Sequence, residues 1–428
     1  MSLLLIKNGR VIDPSQNHDA VTDLWLDGGR VLHLGARPDL RATQTIDATG
    51  LIVSPGLIDM HVHFREPGRE EDETIASGAA AALAGGVTAV ACMPNTEPAI
   101  DNQAAADFVI LQAKRAGLAH VFPIGAVTKG RQGQELAEFG GLVAGGAVAF
   151  TDDGSPVASA EIMRRALEYC QMFDKPVMDH CEDLDLSKNS VMHEGSVSLD
   201  LGLRGYPSAA EEIMVHRDIR LAKMTGGRLH ILHASTAGSI ELIRRGKQDG
   251  VRVTGEAAPH HFTLTHECLR SFDSNFKMSP PLREQADVDA IIAGLKDGAI
   301  DVIATDHAPH APEKKLRELD QAPNGIIGLE TLLPVCIKAL IEPGHLTWLQ
   351  MLAKLTVNPA RVLSLAKGTL KVGADADVTL IDATREWTIN PSEFKSKSRN
   401  TPYTGWRVRG RAVKVLVGGV ERYSVPTA

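Results

Sequence analysis

Cysteine is scarce in this chain and nowhere paired. The five residues Cys92, Cys170, Cys181, Cys268 and Cys336 are odd in number, widely spread and form no CxxC spacing. That excludes a disulfide framework and points to reduced thiols in a cytoplasmic protein. Cys181 adjoins His180, but packing is its expected role. No apolar run approaches the roughly 20 residues of a membrane span. The apolar opening at Leu3–Ile6 is too short for a signal-peptide core, so neither a membrane nor a secretory route is expected. A basic excess is also missing. The formal net charge is −8, so no global field favours nucleic acid, and an anionic ligand must be met by local arginines. Low-complexity segments and long linkers are absent too.

What is present is ordinary bulk with one unusual pattern. The 428 residues are 43% apolar and 23% charged, enough to bury a large core. Eight strand-like runs cross the middle of the chain: Leu51–Met60, Gly86–Met93, His120–Ile124, Gly146–Thr151, Pro176–His180, Arg228–His233, Val251–Ala257 and Ala299–Thr305. Helix-like segments separate them, clearest at Asp72–Ala84, Asp101–Ala116, Ser159–Phe173, Ser208–Met224 and Thr236–Gln248. Such alternation implies a parallel sheet. Eight units predict a closed (β/α)₈ TIM barrel, with an open doubly wound sheet as the alternative. The flanks alternate differently, at Leu3–Lys7, Thr22–Leu26, Arg30–Leu34, Asp377–Ile381, Trp406–Arg409 and Ala412–Val417. Both ends read as antiparallel β and are expected to meet as one small composite β-domain. The predicted division is 1–54 and 366–428 for that domain and 55–365 for the barrel.

The pattern that carries chemistry sits where strands end. His61 and His63 close GLIDMHVHF, Asp153 follows AVAFT, His180 closes PVMDH, His233 closes LHILH, and Asp306 follows DVIAT. Residues i and i+2 of a strand point the same way, so His61 and His63 can grip one ion. Four imidazoles and two carboxylates suit a zinc-type centre. In a (β/α)₈ barrel the chemistry lies at the C-terminal strand ends, where every one of these residues falls. Taken singly, each has a bland reading as a turn or a satisfied buried histidine.

The strings GLIDMHVHFREPG, NTEPAIDN, FTDDG, HCED, HAST and ATDHAPH resemble the dihydroorotase family, of the longer bacterial type in the amidohydrolase superfamily, from about Leu3 to about Val417. The resemblance implies two zinc ions. His61, His63 and Asp306 would hold one, His180 and His233 the other, with Asp153 bridging where many superfamily members carry a carboxylated lysine. It implies reversible cyclisation of N-carbamoyl-L-aspartate to L-dihydroorotate in pyrimidine synthesis, with Asp306 as general base and acid. Arg65, Asn95 and His310 would bind the substrate carboxylate. Ser279 stands where the family has asparagine, and Asn324-Gly325 where it has Phe-Gly; both stretches are carried over as substrate contacts. Hydantoinase or allantoinase activity is the near alternative. A non-catalytic partner of aspartate transcarbamoylase is the distant one. A homo-oligomer is expected, and association with that enzyme stays open for an active form too.

Some motifs are expected to do less. His260 and His261 are assigned packing or supporting roles, and His307 should point away from the metals. Arg69-Glu70-Glu71-Asp72-Glu73 reads as a solvated charge run. Pro309–Pro323 is open between a lid and a plain surface loop.

Overall fold

The computed structural model describes residues 3–425. Its centre is a closed barrel of parallel strands. Leu57–Val62, Val87–Cys92 and His120–Pro123 form one run of the wall, and Val177–Asp179, Leu229–Ile231, Val253–Ala257 and Val302–Ile303 form another. Phe150 joins them, bridging Gly125 on one side and Val177 on the other, and Val62 pairs with His307 to shut the ring. All six residues of each of the first two strands are buried, as expected where helices cover one face and the barrel interior the other.

Helix Ala160–Cys170 illustrates why the outer layer forms. Ser159 caps its start by accepting from Ile162 N, a contact worth about 1 kcal/mol. Met163, Ala166, Leu167 and Cys170 fall on one face and are buried. The other face carries Glu161–Arg165 and Arg164–Glu168 ion pairs at i,i+4. The remaining expected helices are present as Ile75–Ala84, Gln103–Ala116, Ser208–Thr225 and Ala237–Gln248.

Three expectations need correcting. Leu51–Met60 is two strands, because the chain breaks at Gly56. Ile52–Pro55 joins the terminal sheet and Leu57–Val62 the barrel. A Cβ at Gly56 would lie 2.1 Å from Thr88 Oγ1, so the close strand crossing there needs glycine. Gly146–Thr151 contributes only bridges at Phe150 rather than a full strand. The run expected at Leu3–Lys7 continues as the strand Leu4–Asp13, with a bulge between Ile6 and Gly9.

The two chain ends do share one eight-stranded sheet. Val378–Thr388 pairs antiparallel with Ile52–Pro55, which lies beside Leu4–Asp13. The sheet is mixed rather than purely antiparallel, since Gln44–Asp47 and Ile52–Pro55 both run parallel to Leu4–Asp13. Among the described residues no helix is long and apolar enough to cross a membrane.

Candidate active site

Six side chains from five strand ends converge at the C-terminal mouth of the barrel. Asp153 occupies the middle. Its Oδ2 lies 3.5 Å from His61 Nε2 and 3.4 Å from His63 Nε2. Its Oδ1 lies 3.4 Å from His180 Nδ1 and 3.3 Å from His233 Nε2. Asp306 Oδ1 closes the first group, 2.9 Å from His63 Nε2 and 3.3 Å from His61 Nε2. One carboxylate therefore divides its oxygens between two histidine pairs.

The outward nitrogens of three of the four rings are already committed, and this aims the inward ones, while His233 Nδ1 is buried without a partner. His61 Nδ1 donates to Glu256 Oε1 at 2.6 Å, and His63 Nδ1 donates to Asn95 Oδ1 at 2.8 Å. His180 Nε2 donates to Glu182 Oε2 at 2.9 Å. Each bond fixes a tautomer whose remaining lone pair faces Asp153, the arrangement that metal-binding histidines use. Glu256 also meets His230 Nε2 at 3.2 Å and accepts from His233 N at 3.3 Å.

This geometry fits cations. His180 Nδ1 and His233 Nε2 point into one space, 3.0 Å apart. His61 Nε2 is fully buried without a hydrogen-bond partner. Burial alone would lower the pKa of His61, yet Asp153, Glu256 and Asp306 drive it well above the ordinary histidine value. Burial opposes ionisation of Asp153 as well, but His61 and the neighbouring His180 and His233 rings hold it well below the carboxylate range. The cluster thus demands positive charge at its centre. His61, His63 and Asp153, His61, His233 and Asp306, and Asp153, His180 and His233 each bring their ligand atoms within 4.8 Å of one another.

The residues expected to bind substrate line the same cavity, of about 820 Å³: Arg65, Asn95, Ser279, His310, Asn324 and Gly325. Arg65 Nε donates to Pro309 O at 3.2 Å, which directs its fork. Burial and the charge of Arg69 push its guanidinium down to about 10, so it stays cationic at neutral pH. With its oxygen on His63, Asn95 keeps its NH2 as a donor. His310 Nε2 donates to Asn324 O at 2.7 Å. Burial and Arg65 hold His310 well below the ordinary histidine range, so it is neutral and its Nδ1 is left as a buried acceptor without a partner. It can therefore serve a carboxylate only by sharing its Nε2–H. Arg65, His233 and Asp306 all have positive φ, at 64°, 29° and 50°, a strained backbone that clusters at functional sites.

The lesser motifs divide. His307 does turn away, with Nε2 3.4 Å from Glu73 Oε2 and Nδ1 accepting from Gly328 N. His261 Nε2 donates to Pro280 O at 2.9 Å, while His260 Nε2 is buried and unpartnered. Cys181 Sγ faces Asp179 and Asp218. The acidic run at 69–73 is not simply solvated. Asp72 and Glu73 are fully buried. Asp72 accepts from Ala311 N and Lys314 Nζ, and Glu73 accepts from Ser396 Oγ and Lys397 N. These bonds tie the segment after Asp306 and the chain near 396 to the barrel mouth, and they account for the burial of charge. Lys315, also buried, donates to Pro323 O at 2.9 Å and Gly325 O at 3.0 Å.

Sequence reasoning missed Glu256 and Glu182. Glu256 had a usable signal, because an acid inside a strand of a parallel barrel needs a buried partner. Glu182 in HCED had none beyond proximity.

The match to known proteins agrees with this geometry. A dihydro-orotase-like family model matches residues 50–239, and an amidohydrolase family model matches residues 260–423. A dihydroorotase from Geobacter sp. (strain M21) is 53% identical over 419 residues, covering 97% of this chain and 98% of its own. Another from Pelotomaculum thermopropionicum is 52% identical, covering 97% of each. Among solved structures, an L-hydantoinase (dihydropyrimidinase) from Arthrobacter aurescens shares the fold, with TM-score 0.88 at 24% identity, covering 99% of this chain and 96% of its own. At half identity over nearly the whole length of both chains, the protein belongs to the dihydroorotase family.

Proposed function

We propose that the chain interconverts N-carbamoyl-L-aspartate and L-dihydroorotate. One observation carries this reading: a single carboxylate, Asp153, shared by two histidine pairs, with Asp306 and the Arg65 fork in the same cavity. His61, His63, Asp153 and Asp306 would hold one zinc ion, and His180, His233 and Asp153 the second. Bound there, the ions supply Lewis acidity toward the amide carbonyl and toward a water. Asp306 takes the water's proton in hydrolysis and returns it to the ring nitrogen that leaves; ring closure reverses both transfers. Arg65 meets the substrate carboxylate with a bidentate fork, Asn95 adds its NH2, and His310 shares its Nε2–H. Ser279, Asn324 and Gly325 border the ring. Closure turns a dianion into a monoanion and consumes one proton, so acid favours the ring. In this reading residues 55–365 carry the chemistry, and the β-domain assigned to 1–54 and 366–428 braces the barrel through its described residues 3–54 and 366–425, residues 1–2 and 426–428 lying outside them. The protein works in the cytoplasm, as a homo-oligomer and in association with aspartate transcarbamoylase, which co-elution on size exclusion tests.

The deciding experiment is hydrolysis of L-dihydroorotate by the purified chain with added zinc, against a chelated control. Metal-dependent turnover is the expected result. Turnover of hydantoin or allantoin, with none of dihydroorotate, would overturn the substrate assignment. Failure to bind zinc after reconstitution would point to a non-catalytic partner.

A further inference from the structure

Three guanidiniums reach the active-site cavity, and the chemistry above uses one. Arg65, Arg69 and Arg131 all line it. Among the described residues none of the three has a carboxylate within ion-pair distance; their partners are neutral. Arg69 Nη2 lies 3.4 Å from Asn95 O, and its Nε is buried with no partner at all. Arg131 Nη2 donates to Asp152 O at 3.0 Å and lies 3.4 Å from Ser155 Oγ. Several arginines elsewhere pair with acids, as Arg244 does with Asp297 and Arg270 with Asp200.

The three lie close enough to act on one another: the charge of Arg69 acts on both Arg65 and Arg131, and both of those also feel Asp153. Arg131 also has a positive φ of 57°, the left-handed strain seen at Arg65, His233 and Asp306 of the same cavity. Like charges gathered in a half-buried cleft raise the energy of the empty site and are offset when an anion enters. A chain of net charge −8 does not gather them by composition alone.

This inference rests on the proposed substrate pair. The ring form carries one carboxylate and the open-chain form two. Arg65 accounts for one. We propose that Arg69 and Arg131 form a second anion subsite, which holds the other carboxylate of the open-chain diacid as it enters.

The equilibrium constant ties the two kcat/KM values together, so their ratio cannot reveal the subsite; binding can. The test uses two inhibitors of dihydroorotate hydrolysis by the zinc-loaded enzyme. N-acetyl-L-aspartate has both carboxylates but no ureido nitrogen with which to close a ring. N-acetyl-L-alanine has one carboxylate. In the Arg69→Gln, Arg131→Gln double variant the Ki of the dicarboxylate should rise about tenfold or more, the loss of a charge-assisted contact. The Ki of the monocarboxylate, which also reports that the cavity is intact, should stay within about twofold. Lysine at both positions should restore part of the preference by charge without the fork. Equal shifts in both Ki values, or none, would overturn the subsite while leaving the enzyme reading intact. Inorganic phosphate inhibiting the wild type noncompetitively, with that effect lost in the double variant, would assign the pair to a separate oxyanion and also overturn it. A wild type that does not open dihydroorotate refutes the substrate reading, and the subsite falls with it.

Discussion

Glu256→Gln separates the charge of a buried carboxylate from its shape. In the native site Glu256 Oε1 accepts from His61 Nδ1 at 2.6 Å and from His233 N at 3.3 Å, while Oε2 lies 3.2 Å from His230 Nε2. A glutamine carbonyl can keep the first two contacts. Its NH2 then faces His230 Nε2, and His230 adapts by changing tautomer, because its Nδ1 sits 2.8 Å from the Thr254 hydroxyl, which donates or accepts. What disappears is the charge behind the His61 bond. Turning a charge-assisted bond into a neutral one costs about 1.5 kcal/mol, or about tenfold in zinc affinity. Glu256→Ala instead leaves three buried donors or acceptors unpartnered, at about 1–3 kcal/mol each. It should lower zinc affinity by about two decades or more and depress the unfolding midpoint. Zinc dissociation constants measured in metal buffers, with kcat at saturating zinc, read both variants. Native zinc affinity in the glutamine variant, or alanine costing no more than glutamine, would refute the argument that this carboxylate tunes His61.

Asp306→Asn keeps a ligand oxygen but cannot take a proton. It should lower kcat at saturating zinc by about 100-fold or more with little change in thermal midpoint; a kcat within about tenfold of native would remove Asp306 from the acid–base role. Lys315 makes a signed pH prediction. Burial, with Lys277 nearby, pushes its ammonium down to about 7, against roughly 10.4 in the unfolded chain. Below about pH 7 both states are protonated, and the cost of burying the charge is present in full. Between about 7 and 10.4 the unfolded state binds more protons, so this residue's contribution to stability rises with pH. Lys315→Met should flatten that rise, read as the difference in thermal midpoint between variant and wild type across the window; parallel curves would sink it. Gly325→Ala places a Cβ 2.7 Å from Ala308 Cβ and 3.3 Å from His310 Nε2, at a φ of 123°. It should raise KM for dihydroorotate and cost about 1–3 kcal/mol of stability, and an unchanged KM would place the 324–325 turn away from the substrate.

Much of this site was legible in the chain because the signals are local. A strand's period of two puts His61 and His63 on one side, and the end of a short apolar run marks a barrel mouth, so five stations could be read without coordinates. The alternation of strands and helices implied the barrel for the same reason. Where local signals compete, the reading slipped. Leu51–Met60 is continuous in hydrophobicity, but Gly56 hands the chain from one sheet to another because Thr88 leaves no room for a side chain. Asp72 and Glu73 look like surface charge until partners more than 200 residues away, Lys314 and Ser396, arrive to bury them. Composition, strand ends and the choice of imidazole and carboxylate were determined by the sequence alone. The tertiary structure decided the rest. It divided Asp153 between two pairs, set Glu256 behind His61 across 195 positions, and left three arginines facing one cavity without acids. Those facts depend on which distant side chains share a low-dielectric space, and no periodicity along the chain encodes that proximity.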